Sequence, residues 1–295
     1  MLQRCTRSQP RCNPFTGKRI SFVSCFQHKI YDIHQQLTLL PSLEPRDEVN
    51  QLFSNLVNLV IDEDTPDVVE DVLSDPHIQS IQSSLHQLSA RGEYQLERYW
   101  SNQISAHQEP AAEMKRFPYY GNYEQLSDME FNALSSLNDG EIQKVLFVGS
   151  GPLPLSSILF AQKFGVPIDN VEVDQEAYCL SEKLAQKLHL SETLTFYHTD
   201  ILQFTELAQY DVIFVAALAG LAPEEKSAII RHLKMHIREG ALLAIRTVHG
   251  LKTLLYPEVA LDDLIDFKHQ ATIKPHNEII NSVLIVEKIV KESTT

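Results

Sequence analysis

The chain has 295 residues, 43% of them hydrophobic and 22% charged, enough to bury a core without disulfide support. Its 25 basic residues face 39 acidic ones, and six of the basic residues (Arg4, Arg7, Arg11, Lys18, Arg19 and Lys29) fall within the first 29 positions, where there is no acid. The rest, with 19 basic against 39 acidic residues, repels phosphate backbones and excludes a basic nucleic-acid surface, and no apolar run reaches the roughly 20 residues of a membrane-spanning helix.

The first 28 residues are read as a basic extension outside the fold. They are rich in Arg and Ser and free of acids, which suits either a transit-type segment or a disordered tail. Three of the four cysteines (Cys5, Cys12 and Cys25) lie here and only Cys179 lies in the body. Their spacing lacks the paired C-x-x-C of a zinc site, so no metal site is expected and the thiols are read as reduced.

Residues 29–139 read as an all-α domain. Ile30, Ile33 and Leu37, then Val49, Leu52, Phe53, Leu56, Val57 and Val60, recur at helical spacing. Asp75 before Pro76 is placed to cap a helix through Ile78, Ile81, Leu85 and Leu88. A break is expected near Gly92, with a further helix through Glu93, Leu96, Glu97 and Trp100. Phe117-Pro-Tyr-Tyr-Gly-Asn-Tyr123 reads as an ordered loop.

Residues 140–295 read as a Rossmann-like α/β domain. Short apolar strands are expected at Lys144–Val148, Val171–Asp174, Leu194–His198, Asp211–Val215 and Ala241–Ile245, with helices from Pro154, over Leu180–Leu190 and over Glu224–Ile237. This alternation specifies a parallel sheet. The last two strands, Phe267–Ile273 and Ser282–Ile289, are joined too closely for a parallel crossover and must pair antiparallel. Five parallel strands closed by such a hairpin describe a class I S-adenosylmethionine-dependent methyltransferase-like sheet.

Ligands of such sheets lie at the carboxyl ends of the strands. Gly149-Ser150-Gly151-Pro152 follows the first strand and lets backbone approach a ligand closely. Asp174, after the second, can accept hydrogen bonds from both hydroxyls of a ribose. Thr199 and Asp200, after the third, can meet the exocyclic amine of an adenine. The competing reading makes Asp174 and Asp200 ordinary helix caps. Pro154 stands where a dinucleotide fingerprint has its third glycine, which with the C-terminal hairpin points to S-adenosylmethionine over NAD.

Phe147-Val-Gly-Ser-Gly-Pro-Leu-Pro-Leu155 resembles the glycine-loop signature of the nicotianamine synthase family. Phe117–Tyr123, Tyr210–Leu218, His249–Pro257 and the Ser42–Phe53 region are similar to that family's plant-type members, so the resemblance runs from about His28 to Glu287. It implies an enzyme that moves the aminobutyrate (3-amino-3-carboxypropyl) arm of S-adenosylmethionine onto an amine and releases 5′-methylthioadenosine. Plant-type members use three such molecules and close an azetidine ring, giving a metal chelator without needing a metal or other cofactor themselves. The expected partners are S-adenosylmethionine and an amino-acid-like acceptor, in the cytoplasm, and a homo-oligomer is compatible with the sequence.

With the resemblance in place, Glu93 and Glu97, four apart on one helix face, become candidates for the base that frees the attacking amine. Which of the two it is stays open, and a solvated helix face is the alternative. Tyr119, Tyr120 and Tyr123 could place ring faces against a sulfonium or pack between domains. Ala216 and Ala217 could floor the pocket, and Arg246, His249 and Lys252 could meet substrate carboxylates. The rivals are a single transfer onto another amino acid such as histidine, an N-methyltransferase, and a catalytically dead module that senses S-adenosylmethionine.

Overall fold

The computed structural model describes residues 17–63, 65–138, 140–275 and 279–289. Six helices come first: α1 (Gly17–Leu39), α2 (Asp47–Asp62), α3 (Pro66–Leu73), α4 (Pro76–Ala106), α5 (Pro110–Met114) and α6 (Tyr120–Leu137). The expected extension over residues 1–28 is corrected from Gly17 onward. The apolar residues Val23 and Phe26 repeat the spacing of Ile30, Ile33 and Leu37, and all five are buried in one core cluster. Cys25 and Cys179 are exposed free thiols, while Cys5 and Cys12 lie outside the described residues.

The 31 residues of α4 are one unbroken helix. Asp75 caps it as expected, accepting from the backbone N–H groups of His77 (2.9 Å) and Ile78 (3.1 Å). The break expected at Gly92 is absent because Gly92 serves packing. A Cβ there would stand 2.3 Å from Phe53 Cζ of α2, so only glycine lets that ring seat against α4. Glu93 and Glu97 therefore sit on a continuous helix. The aromatic segment is also more helical than expected: Tyr120 and Tyr123 lie in α6 and Tyr119 is its N-cap.

Seven strands follow: β1 (Val145–Val148), β2 (Ile168–Glu172), β3 (Leu194–His198), β4 (Val212–Val215), β5 (Leu242–Thr247), β6 (Phe267–Ile273) and β7 (Ser282–Lys288). Their order is β3-β2-β1-β4-β5-β7-β6. Every pair from β3 to β5 is parallel, and β7 runs antiparallel to both neighbours. Helices α7 (Leu155–Phe164), α8 (Gln175–Lys187) and α9 (Pro223–His236) connect the parallel strands. The second strand starts and ends earlier than expected, at Ile168 and Glu172, which leaves Asp174 outside it as the N-cap of α8.

The two halves interlock. After β5 the chain makes a 3-10 turn, Gly250–Leu254, which inserts Leu251, Leu254 and Leu255 into the core of the N-terminal helices. Gln82 and His86 of α4 both reach the Thr253 carbonyl, at 3.1 and 2.7 Å. Among the described residues no helix is long and apolar enough to cross a membrane.

Candidate functional site

A cavity of about 730 Å³ opens between α4 and the carboxyl edge of the sheet, within the usual range of small-molecule sites. Gly149, Ser150, Gly151, Pro152, Asp174, Thr199, Asp200, Ala216 and Ala217 line it from the sheet side, and Glu93, Glu97 and Tyr123 from the helical side. Of the candidates read from the sequence, Arg246 lines it as well, whereas Tyr119, Tyr120, His249 and Lys252 do not.

The glycine turn is held from several directions. Gly149 and Gly151 have φ of +78° and +68°, the left-handed region that side chains strain. Glu172 Oε2 accepts from the Gly151 N–H at 2.8 Å, and Glu172 Oε1 from the Asp174 N–H at 2.9 Å. Ser181 donates to the Gly151 carbonyl at 2.6 Å. A Cβ on Gly149 would lie 3.2 Å from Ala219 Cβ, so small side chains after β4 are needed for the turn to close. Below, the buried Lys226 ammonium donates to the carbonyls of Ala217 (2.7 Å) and Ala216 (3.3 Å). Burial pulls its pKa down to about 8.

Both aspartates act as caps: Asp174 Oδ1 accepts from the Ala177 N–H and Asp200 Oδ1 from the Leu202 N–H. Capping and ligand binding do not exclude each other, because each of these caps uses Oδ1 alone. Tyr94 of α4 also donates to Asp174 Oδ1, at 2.8 Å, and Arg98 pairs with Glu176 at 2.9 Å, so α4 is tied to the start of α8 at the rim of the cavity.

Glu93 and Glu97 differ in their surroundings. Tyr256 donates to Glu93 Oε2 at 2.7 Å. Burial raises the Glu93 carboxyl, while that hydrogen bond and the Arg246 charge pull it back. Glu97 stands against the glycine turn, where a Cβ on Gly151 would meet its Oε2 at 2.6 Å. Burial, then the neighbouring charge of Glu93, hold Glu97 well above the ordinary carboxyl range. The two carboxyls thus share one helix face and one cavity but differ in what surrounds them.

The tyrosines divide. Tyr123 lines the cavity, and its hydroxyl is pushed well up by burial and by Glu97 and Glu93. Tyr119 stacks edge-on against Phe117 at 5.8 Å, with its hydroxyl raised by burial and Glu93. Tyr119 and Tyr120 are corrected: neither lines the cavity, because Tyr119 is committed to the aromatic packing on Phe117 and Tyr120 lies beside the charges of Glu124 and Lys163. Trp100 packs edge-on against Phe117 at 5.9 Å.

Arg246 lines the cavity but is bound on one side, pairing through Nε and Nη2 with both oxygens of the buried Glu130 at 2.9 Å and donating from Nη2 to Ser156 Oγ at 2.7 Å. His249 and Lys252 do not reach the cavity. His249 Nδ1 bonds Ser282 Oγ at 3.1 Å, and Lys252 donates to the Ile279 carbonyl at 2.9 Å. Sequence reasoning missed Tyr94, Glu172 and Tyr256 as site residues. Tyr256 was in view only as part of the His249–Pro257 motif.

A doubly wound sheet with a glycine turn after its first strand, an acidic turn after its second and a helical cap over its carboxyl edge defines the class I S-adenosylmethionine-dependent transferase fold. Two structures share this fold over nearly the whole chain. MtNAS in complex with MTA and tNA superposes with a TM-score of 0.80 at 21% identity, over 91% of this chain and 98% of that one. A mutant of MtNAS in complex with S-adenosylmethionine gives 0.78 at 23%, over 89% and 98%. The sequence profile described as "Nicotianamine synthase protein" matches residues 21–293. Nicotianamine synthase 1 of Arabidopsis thaliana is 36% identical, over 88% of this chain and 83% of its own, and nicotianamine synthase 2 of Oryza sativa subsp. japonica is 35% identical over 90% and 83%. The chain belongs to the nicotianamine synthase family and is an enzyme of that transferase class.

Proposed function

We propose that this enzyme condenses S-adenosylmethionine molecules through their aminobutyrate arms, releasing 5′-methylthioadenosine and making nicotianamine. The observation that carries the reading is the position of the half-buried Glu93–Glu97 pair across one cavity from Gly149–Gly151 and Asp174. When bound, S-adenosylmethionine supplies a sulfonium with three electrophilic carbons, and the one that reacts is the one held in line with the nucleophile at about 3–3.5 Å. Asp174 and Asp200 take the ribose and adenine through the oxygens their caps leave over. The glycine turn, with Ala216 and Ala217, gives the nucleoside room. The aminobutyrate arm then extends toward α4.

The acceptor must lose a proton before it can attack. Glu93 is the base. A general base has to be ionised before its substrate arrives, and Glu93 has the Tyr256 hydroxyl and the Arg246 charge to favour ionisation. A carboxylate raised by burial is closer in proton affinity to an amine than an exposed one, which eases the transfer. Glu97, raised further than Glu93, keeps its proton to the higher pH and acts as its hydrogen-bonding neighbour beside Gly151. Tyr123 walls the reacting centre, Tyr119 packs with it against Phe117, and the acidic lining draws in cationic substrates. No further cofactor is called for. The exposed thiols of Cys25 and Cys179 suit a reducing compartment, and we assign the cytoplasm.

Incubating the purified protein with S-adenosylmethionine alone, followed by mass spectrometry, tests this. Methylthioadenosine with a product of three condensed units is expected. S-adenosylhomocysteine would mean methyl transfer and overturn the reading. Methylthioadenosine formed only when another amino acid is added would replace it with a single transfer.

A further inference from the structure

Arg246 of β5 and Asn281, just before β7, also line the cavity, at the end of the sheet edge opposite β2 and β3, whose turns carry Asp174, Thr199 and Asp200. In the antiparallel β5–β7 pair Arg246 stands opposite Val283 and Thr247 opposite Ser282. Asn281 is therefore the next residue beyond the last rung, on the same sheet face as Arg246. Its carboxamide Oδ1 is buried and has no hydrogen-bond partner among the described residues. Buried polar atoms are nearly always satisfied, so an orphan lining a cavity marks a place for a donor.

The neighbouring guanidinium is complementary. Its Nε and Nη2 are committed to Glu130 and Ser156. Among the described residues Nη1 has no partner, which leaves its two N–H groups for the cavity. The segment carrying Asn281 is fixed on both sides, by Lys252 Nζ on the Ile279 carbonyl and by His249 on the Ser282 hydroxyl. An acceptor oxygen and a free guanidinium edge, both on rigid backbone, match the two ends of an α-amino acid.

We propose that this end of the cavity is the acceptor subsite: Asn281 Oδ1 accepts a hydrogen bond from the α-amino group of the acceptor, and Arg246 Nη1 binds its carboxylate. The inference rests on the transfer reading above and adds the residues that select the nucleophile. Glu93 removes one proton from the acceptor ammonium. Asn281 keeps another N–H engaged, so that the lone pair points toward the donor. The N–Cγ bond forms as the Cγ–S bond breaks, and the bonding pair stays on sulfur. The new nitrogen centre carries the positive charge that the sulfonium gives up. A simple alkylamine would meet Asn281 but leave Arg246 Nη1 unpaired, so the subsite favours α-amino acids.

The test uses the full-length enzyme and two variants, Asn281→Ala and Asn281→Asp, with methylthioadenosine release from S-adenosylmethionine as the readout and calorimetric methylthioadenosine binding as the check on the nucleoside end. Asn281→Ala should slow release about 10- to 100-fold, the effect of one hydrogen bond to a charged group, with nucleoside affinity within about twofold of wild type. Asn281→Asp, which keeps an oxygen in place, should recover at least about tenfold over the alanine variant. Wild-type rates in Asn281→Ala, equal failure of both variants, or loss of nucleoside binding would each overturn this inference alone. A wild-type enzyme that releases no methylthioadenosine would overturn the transfer reading and this one with it.

Discussion

The Tyr256 hydroxyl donates to Glu93 Oε2 over 2.7 Å, joining residues 163 positions apart. Tyr256 arrives there because the 3-10 turn after β5 buries Leu251, Leu254 and Leu255 among the N-terminal helices. The proposed base thus sits on α4, while the group that tunes it comes from the sheet half. Any change that loosens the 250–256 segment acts on the base as well as on stability.

Tyr256→Phe removes that donor. The hydrogen bond lowers the Glu93 pKa, so its loss leaves burial unopposed on that side and raises it. The acidic limb of the kcat/KM profile should move to higher pH, with turnover at neutral pH down about tenfold. An unshifted limb would remove Glu93 from the role of base.

Gly151→Ala meets two obstacles. The residue has φ of +68°, which costs a side chain about 1–2 kcal/mol, and its Cβ would stand 2.6 Å from Glu97 Oε2. Urea denaturation should show a loss of about that size, and methylthioadenosine binding should weaken because the turn must shift off Glu97. A variant with wild-type stability and binding would show that neither the strain nor the close approach exists.

The order of strands and helices was readable because each parallel strand is a short apolar run ended by Gly, Asp or small residues, signals carried within a few positions. The Asp75 cap and the Glu93–Glu97 spacing are local in the same sense. The misreadings arose where the cause is distant in sequence. Gly92 looks like a helix breaker until Phe53 of another helix is seen filling its missing side chain. Tyr119, Tyr120 and Tyr123 share a motif, yet only Tyr123 of the three lines the cavity, because Tyr119 is committed to Phe117 and Tyr120 lies beside Glu124 and Lys163. The position of Arg246 after a strand suggests a contact to substrate carboxylates, and only the fold brings Glu130, 116 residues away, against it. Glu172 and Asn281 gave no signal, because an acid closing a strand and a polar residue opening one are ordinary.

Lys226→Met tests the floor of the cavity. The folded pKa of Lys226 is lowered to about 8 from an ordinary 10.5. The group's contribution to stability is therefore fully present above pH 10.5 and is lost as pH falls through about 8. Thermal unfolding of wild type should show stability rising across that window, and the methionine variant should flatten the rise. Identical slopes in the two proteins would mean that the ammonium is not desolvated beneath the 216–217 carbonyls.

Glu93→Gln and Glu97→Gln should separate the two carboxyls, which four-residue spacing alone could not do. Glu97, held well above the ordinary 4.5 by burial and by the Glu93 charge, is the carboxyl of the pair that keeps its proton to the higher pH, and an amide imitates a neutral acid in shape and polarity. Glu97→Gln should therefore keep turnover within about tenfold of wild type, whereas Glu93→Gln removes the base and should lose at least about 100-fold, the lower end of what general-base catalysis supplies. Stability gives a second reading of the same pair. A carboxyl whose folded pKa exceeds its unfolded one favours folding below the unfolded value, and that contribution is lost as pH rises through the folded value. Wild type should thus lose thermal stability from about pH 4.5 upward, and Glu97→Gln, which cannot ionise, should be the more stable protein at alkaline pH and lose that advantage as the medium is acidified. If Glu97→Gln is instead the inactive variant and Glu93→Gln the active one, the proton acceptor is the carboxyl beside Gly151, and the roles assigned to the two glutamates must be exchanged.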